Sequence, residues 1–164
     1  MPTPPPQAQA HPTRYRSKTV AAWLTLALGA LGAHRLYLHG ARDRLAWAYP
    51  LPTLLGLAGV QRLRALGQDD RLAWLLIPLL GLMLSLAMLT AIVYALTPDE
   101  KWDARHNPGQ PVHATGWGAV LAAILALLLG GAVLMGTVAY GGQRFFEWQL
   151  SQPVSGLQFR SWIA

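Results

Sequence analysis

Two stretches of this sequence, Leu72 to Leu96 and Trp117 to Tyr140, are apolar over more than 20 residues and contain no charged side chain. A helix needs about 20 such residues to cross the hydrocarbon core of a bilayer, which is roughly 30 Å thick. Only 12% of the 164 residues are charged, against about one quarter in soluble proteins. The stretches therefore predict an integral membrane protein, with the lipid bilayer as a partner that surrounds these helices.

A shorter apolar run, Thr19 to Ala33, precedes them. As a helix it covers only about 22 Å at 1.5 Å per residue. We expect it to continue through His34 and Arg35 to Gly40, which would complete a span and place His34 and Arg35 near the membrane edge. A cleaved signal peptide is the alternative, although Leu31 would then occupy a position that favours a small side chain.

A second short run, Leu45 to Val60, contains Pro50 and Pro52. Proline removes a backbone donor, so this run predicts either a kinked span or a segment that re-enters and leaves on the same side. The four runs together predict an all-α fold, a polytopic integral membrane helical bundle of about four transmembrane helices. A tryptophan, which prefers the membrane interface, stands near the start of each run: Trp23, Trp47, Trp74 and Trp117.

These runs divide the chain into six predicted segments. They are a disordered Pro-rich arm with a basic end (1–17), a helical hairpin (18–66), a third transmembrane helix (67–96), a capped interfacial helix and loop (97–116), a fourth transmembrane helix (117–140) and an interfacial aromatic tail (141–164). Within this bundle we expect five glycines at helix contacts, because glycine lets backbones approach closely: Gly29, Gly32, Gly56, Gly59 and Gly130. A small-residue stripe of Ala122, Ala126 and Gly130 predicts close packing of the last helix.

The formal net charge is +6, and the basic residues stand in small groups between the apolar runs. That distribution is typical of contact with anionic lipid headgroups and argues against nucleic-acid binding, which requires a folded basic surface. Counting Lys and Arg for four spans favours both termini in the cytoplasm. The absence of cysteine excludes disulfides and thiolate metal sites, and no cofactor or metal is predicted.

A first motif joins Ser17-Lys18-Thr19 to Gly32-Ala33-His34-Arg35 and Tyr37-Leu38. It resembles the signature of the two-transmembrane (TM-two) domain family, and residues 97–107 resemble the segment after the spans in the bacterial branch called NINE proteins. The resemblance covers residues 17–110, with Leu36 in place of the family's usual Phe and His39 inserted before Gly40. It implies a small multi-span protein of the bacterial inner membrane, without an assigned biochemistry.

The residues of this motif can be interpreted without the family. Gly29 and Gly32 allow close approach of another backbone, while His34, Arg35 and Tyr37 would cluster where the helix leaves the apolar zone. Arg35 could then bind a lipid phosphate or Asp43. The alternatives are a helix end with interface anchors, or a contact for a lipid headgroup or partner helix. His34 and His39 are five apart, which argues against a helical metal site.

A second motif follows the third run and contains Asp99, Glu100, Lys101, Trp102, Asp103 and Arg105. Thr97-Pro98-Asp99-Glu100 predicts a capping box, with Thr97 as the N-cap. Lys101 and Arg105 would share a face, and Trp102 would dip into the membrane interface. We interpret the segment as an interfacial helix or as a docking surface for another protein. Asp99 and Asp103 could together contact a divalent cation.

No catalytic motif is present, and the two long runs carry only Ser85, Thr90 and Thr137 as polar side chains suited to a relay. We therefore predict a non-catalytic membrane protein, a scaffold or accessory protein that binds other membrane proteins or copies of itself. A small oligomeric transporter or channel subunit is the alternative. A third hypothesis, a lipid-modifying enzyme, would need a cluster of four residues: His34, Arg35, His39 and Asp43.

Overall fold

The computed structural model describes residues 15–151, and every regular element in that range is helical. The helices are α1 (Lys18–Leu28), α2 (Ala33–His39), α3 (Arg44–Ala48), α4 (Pro50–Leu66), α5 (Arg71–Leu96), α6 (Asp99–His106) and α7 (Trp117–Ser151), with a 3-10 turn at Gly29–Leu31. The predicted all-α class is confirmed. Most of the predicted arm and the end of the predicted tail lie outside the described residues.

The antiparallel pair of α5 and α7 is the centre of the fold. Small residues bring the two helices together: Ala122 and Ala126 are fully buried, and a Cβ at Gly130 would lie 2.7 Å from the Cβ of Met88. The predicted stripe is therefore a packing surface. At the start of α5, the Asp70 carboxylate accepts a hydrogen bond from the Leu72 amide at 3.3 Å, as expected of an N-cap.

Among residues 15–151, two helices, α5 and α7, are long and apolar enough to cross a membrane. The structure does not confirm four such spans. The other two predicted spans are built differently, and each is divided into shorter helices.

The first apolar run is a hairpin, so the prediction of one helix from Thr19 to Gly40 is wrong. The chain reverses at Gly32, whose φ of +77° is costly for any residue with a Cβ. A Cβ there would also lie 2.7 Å from the Ala46 carbonyl oxygen. Because α2 returns beside α1, Leu38 packs against Ala21, and the hairpin enters and leaves at one end of the bundle.

The second run is divided at Tyr49, where α3 ends and Pro50 opens α4. The chain does not turn back there. Instead, α4 packs antiparallel to α5, with Gly56 directly against Leu80 and a Cβ at Gly59 placed 2.5 Å from the Cβ of Leu76. With 17 residues, α4 is shorter than the roughly 20 that a span requires.

The predicted tail begins as a continuation of the last helix, because α7 extends through residues 141–151 to Ser151. Pairs one helical turn apart support this extension: Arg144 lies 2.6 Å from Glu147, and the Gln143 amide donates to Glu147 at 2.8 Å. The end of the apolar run is therefore not the end of the helix.

The two ends of the bundle are formed by different segments, and we call them the arm end and the turn end. The arm end contains the start of α1, the end of α2, α6 and the start of α7. The turn end contains the α4–α5 turn, where Arg62 pairs with Asp70 at 2.7 Å, and the end of α7, where Arg144 stacks on Trp74. Tyr15 and Ser151, the first and last described residues, lie at opposite ends. Four spans would have placed both at the same end.

Candidate functional site

The two sequence motifs meet at the arm end through a buried lysine. Lys18, the first residue of α1, is 7% exposed, and its ammonium group donates to the Thr97 carbonyl at 2.9 Å and to the Asp99 carboxylate at 2.5 Å. Thr97 follows the last turn of α5, where carbonyl groups lack helical partners and attract a cation. One side chain therefore joins α1, α5 and α6.

Asp99 extends this contact to the segment before α7. Its carboxylate also accepts hydrogen bonds from the Thr115 amide at 2.8 Å and the Thr115 hydroxyl at 2.5 Å. The Lys18 ammonium group, and after it the Thr115 hydroxyl, lower the pKa of Asp99 to about 2. The carboxylate is therefore ionised at neutral pH, as the contact with Lys18 requires.

Asp103 and Asn107, one turn apart on α6, form the buried centre of the same surface. Burial raises the pKa of Asp103, but hydrogen bonds from the His113 amide at 2.9 Å and from Asn107 at 2.7 Å outweigh it, and the pKa is lowered overall. The Asn107 amide group in turn accepts from the Arg16 amide at 2.8 Å and donates to the Arg16 carbonyl at 3.2 Å. The backbone just before α1 is thereby fixed to α6.

We call these seven residues the arm clamp: Arg16, Lys18, Asp99, Asp103, Asn107, His113 and Thr115. The clamp uses both carboxylates that the sequence suggested for a divalent cation. Each of them is directed at donors of the protein itself. No group of three or more metal-binding side chains occurs within residues 15–151.

Trp102 lies beneath the clamp, and the prediction that it dips into the membrane interface is wrong. The side chain is 2% exposed and packs with Ala21 and Leu38 of the α1–α2 hairpin. Its indole nitrogen donates to the Arg16 carbonyl at 2.8 Å, and its ring meets Tyr94 edge to face at 5.5 Å. Trp102 is thus the core side chain that seats α6 on the bundle.

The predicted capping box does not form either. The helix α6 begins at Asp99 after Pro98, without a side-chain cap. Thr97 instead directs its hydroxyl back to the Val93 carbonyl at 2.6 Å. Thr97 follows directly on α5, and its hydroxyl is hydrogen-bonded to a carbonyl of that helix. It therefore does not cap α6.

The six residues of the predicted docking helix divide into two groups. Asp99, Trp102 and Asp103 face the bundle, while Glu100, Lys101 and Arg105 are exposed. Lys101 and Arg105 share a face, as predicted. A docking surface on α6 is therefore limited to this outward group and to Ala104 beside it.

The residues of the first motif also divide. Arg35 forms an ion pair with Asp43 at 2.8 Å, and Asp43 is one of the two partners predicted for it. Asp43 also caps α3, because its carboxylate accepts a hydrogen bond from the Leu45 amide at 3.0 Å. His34 is 1% exposed, so its side chain is enclosed by protein. Its ring lies between those of Tyr49 and Tyr94, at centroid distances of 5.4 and 6.0 Å.

Tyr37 and the two motif glycines contribute to packing. The Tyr37 hydroxyl accepts a hydrogen bond from the Ser17 amide at 3.0 Å. A Cβ at Gly29 would lie 2.9 Å from the Cβ of Ala87 on α5. All five glycines predicted at helix contacts are found at such contacts. Of the four residues required for the enzyme hypothesis, Arg35 and His39 both lie beside Asp43, at 2.8 and 3.9 Å, whereas the His34 ring is enclosed by tyrosines.

A cavity of about 120 Å³ opens beside the outward face of α6. It is lined by polar side chains from α2, the end of α5 and α6 and by a mainly apolar wall. The polar residues are His39, Thr97, Lys101, Arg105 and His106, and the wall consists of Val93, Tyr94 and Trp102. Burial is the main cause that lowers the pKa of His106, whose ring stacks on Trp102 at 4.1 Å. The sequence does not indicate this site, because His39 and His106 are distant in sequence and neither belongs to a spacing that suggests a ligand.

The chain matches no family model, no curated protein and no solved structure. Its resemblance to the TM-two domain family stays a prediction based on the motif residues.

Proposed function

We propose that this chain is a non-catalytic integral membrane protein that acts as a scaffold or accessory protein, and that it presents its arm end to another membrane protein. The observation that carries this proposal is the arm clamp. It fixes α6 on its inner side while Glu100, Lys101, Ala104 and Arg105 remain exposed on the outer side. A surface that is already ordered loses less conformational entropy when a partner binds.

The exposed surface of the two long helices supports a membrane location. Leucines project outward along both of them, including Leu75, Leu89, Leu127 and Leu128, each more than half exposed. An apolar face of this extent is unstable in water and requires either lipid or other proteins. Lipid is the partner that covers both helices along their whole length.

Basic residues favour the cytoplasm for the arm end. Short cytoplasmic segments are enriched in Lys and Arg, and the described residues divide seven to four between the two ends. The arm end has Arg16, Lys18, Arg35, Arg42, Arg44, Lys101 and Arg105, and the turn end has Arg62, Arg64, Arg71 and Arg144.

A transporter is the weaker alternative. Its path would need polar groups within the membrane. In α5 and α7 the hydroxyls of Ser85, Thr90 and Thr137 each donate to a carbonyl four residues earlier in the same helix, at 2.7 to 2.8 Å. These groups are therefore satisfied locally, and they leave no polar lining for a solute.

Photo-crosslinking in intact cells tests the proposal. A photoreactive amino acid at Ala104, on the outward face of α6, is expected to yield a discrete crosslinked product with a second membrane protein or with a second copy of this chain. The matched control is the same amino acid at the exposed residue Arg64 at the turn end. Products of equal yield from both positions, or lipid adducts alone from Ala104, would contradict the proposal.

A further inference from the structure

We propose that the cavity between α2, α5 and α6 binds the phosphate group of an anionic phospholipid. Four cationic or titratable side chains meet there, His39, Lys101, Arg105 and His106. This inference rests on the membrane location given under the proposed function, but not on the presence of a protein partner.

The charge of the cavity is uncompensated. Lys101 and Arg105 have no hydrogen-bond or ion-pair partner among the described residues, whereas Lys18 and Arg35 are each paired with a carboxylate. The lining residues include no carboxylate, and Asp43, which lies 3.9 Å from His39, is held at 2.8 Å by Arg35. A phosphate group would supply acceptor oxygens to donors that the protein leaves unused.

The apolar wall of the cavity distinguishes a lipid from free phosphate. Val93 belongs to this wall and is 55% exposed, and Leu89 and Leu96 continue the exposed surface along the same helix. An acyl chain could follow this strip while its headgroup occupies the cavity. Tyr94 and the edge of the buried Trp102 ring add to the apolar wall of the cavity. Free phosphate has no apolar part that could contact such a strip.

The test uses the full chain, purified in a neutral detergent and analysed by native mass spectrometry. Phosphatidylglycerol and phosphatidylcholine are added in equal amounts, and retained lipid is counted. Wild type should retain more phosphatidylglycerol. The double variant Lys101→Gln, Arg105→Gln should lose this preference, by about fivefold for each basic residue removed.

The double variant Arg64→Gln, Arg71→Gln is the matched control, because it removes two exposed cations at the turn end. It should retain phosphatidylglycerol like wild type. Equal retention by wild type and the Lys101, Arg105 variant would overturn the proposal, and so would equal losses in both double variants. Inorganic phosphate is the third arm. If it displaces phosphatidylglycerol at concentrations close to that of the lipid, the site takes free phosphate and the lipid assignment is wrong.

A melting curve in detergent checks that each variant is folded. If the Lys101, Arg105 variant melts early, the single variant Lys101→Gln replaces it, and an unchanged lipid preference in that variant counts against the proposal. Crosslinking from Ala104 reports on a protein partner and does not depend on the lipid. Failure of the lipid site and failure of the proposed function are therefore separate results.

Discussion

The backbone amide of Ser17 donates a hydrogen bond of 3.0 Å to the hydroxyl of Tyr37. This contact joins the beginning of α1 to the end of α2, so the first apolar run returns to the end from which it came. Three passes along the bundle remain, formed by α3 with α4, by α5 and by α7. An odd number of passes places residues 15 and 151 at opposite ends.

Topology reporters test the orientation of α5, which is opposite for three passes with a cytoplasmic arm end and for four spans with a cytoplasmic N-terminus. We predict that a fusion after Asn107, at the arm end, reports the cytoplasm, and that a fusion after Arg64 reports the opposite side, because basic residues favour the arm end for the cytoplasm. Four spans with a cytoplasmic N-terminus would give the reverse pattern. The measurement is the activity of alkaline phosphatase and the fluorescence of green fluorescent protein fused at each position. Phosphatase activity after Asn107 with fluorescence after Arg64 would place the arm end outside the cytoplasm and contradict this prediction.

Gly56 tests the packing of α4 on α5. A Cβ at this position would lie within van der Waals overlap of the Leu80 backbone, so we predict that Gly56→Ala destabilises the protein by about 1–3 kcal/mol. Gly131→Ala is the matched control, because a Cβ there meets nothing within 4 Å. It should gain up to about 1 kcal/mol of helix propensity. Thermal melting in detergent measures both variants, and equal melting temperatures would show that Gly56 is not a contact.

Local rules were sufficient for part of this fold. The Asp70 cap of α5, the Arg35–Asp43 pair and the packing glycines follow from residue types at short spacings. The reversal at Gly32 does not, because a glycine within an apolar run is compatible with both a helix contact and a turn. Its turn is stabilised by a distant group, the Thr53 hydroxyl, which donates to the Ala30 carbonyl at 2.6 Å.

The site was harder to predict than the fold, for a related reason. Trp102 suits either a membrane interface or a buried position. The pocket that receives it is built by Ala21 and Leu38, more than 60 residues away in sequence. In the same way, the clamp donors Arg16 and His113 act through backbone amides, which leave no signature in a sequence.

Asp99 tests the arm clamp. We predict that Asp99→Asn destabilises the protein by about 1–3 kcal/mol, because the Lys18 ammonium group stays buried without its carboxylate. Glu100→Gln is the matched control: the neighbouring carboxylate is exposed, so the change should have little effect. Chemical or thermal unfolding in detergent measures the difference. If both variants unfold together, the Lys18–Asp99 contact does not contribute to stability.

The pH dependence of stability follows from the same residue. Asp99 has a pKa of about 2 in the folded chain, below its ordinary value of 3.8. A lowered pKa means that the folded state binds fewer protons than the unfolded state. The contribution of Asp99 to stability is therefore complete above the ordinary pKa, and it is lost as the pH falls through the pKa of the folded state. We predict that the stability difference between wild type and Asp99→Asn is constant from pH 7 to about pH 5 and shrinks between about pH 4 and pH 2. A difference that disappears near pH 6 would contradict this assignment.

Trp102 offers the sharpest contrast with the sequence prediction, because an interfacial tryptophan and a core tryptophan respond differently to truncation. Trp102 is 2% exposed and Trp117 is 81% exposed. We predict that Trp102→Leu costs about 2–4 kcal/mol, through the lost ring volume and the lost hydrogen bond to the Arg16 carbonyl. Trp117→Leu should change stability by no more than about 0.5 kcal/mol. Unfolding in detergent measures both variants. Because Trp102 seats α6, its loss should also reduce crosslinking from Ala104, whereas an interfacial Trp102 would leave both the unfolding and the crosslinking unchanged.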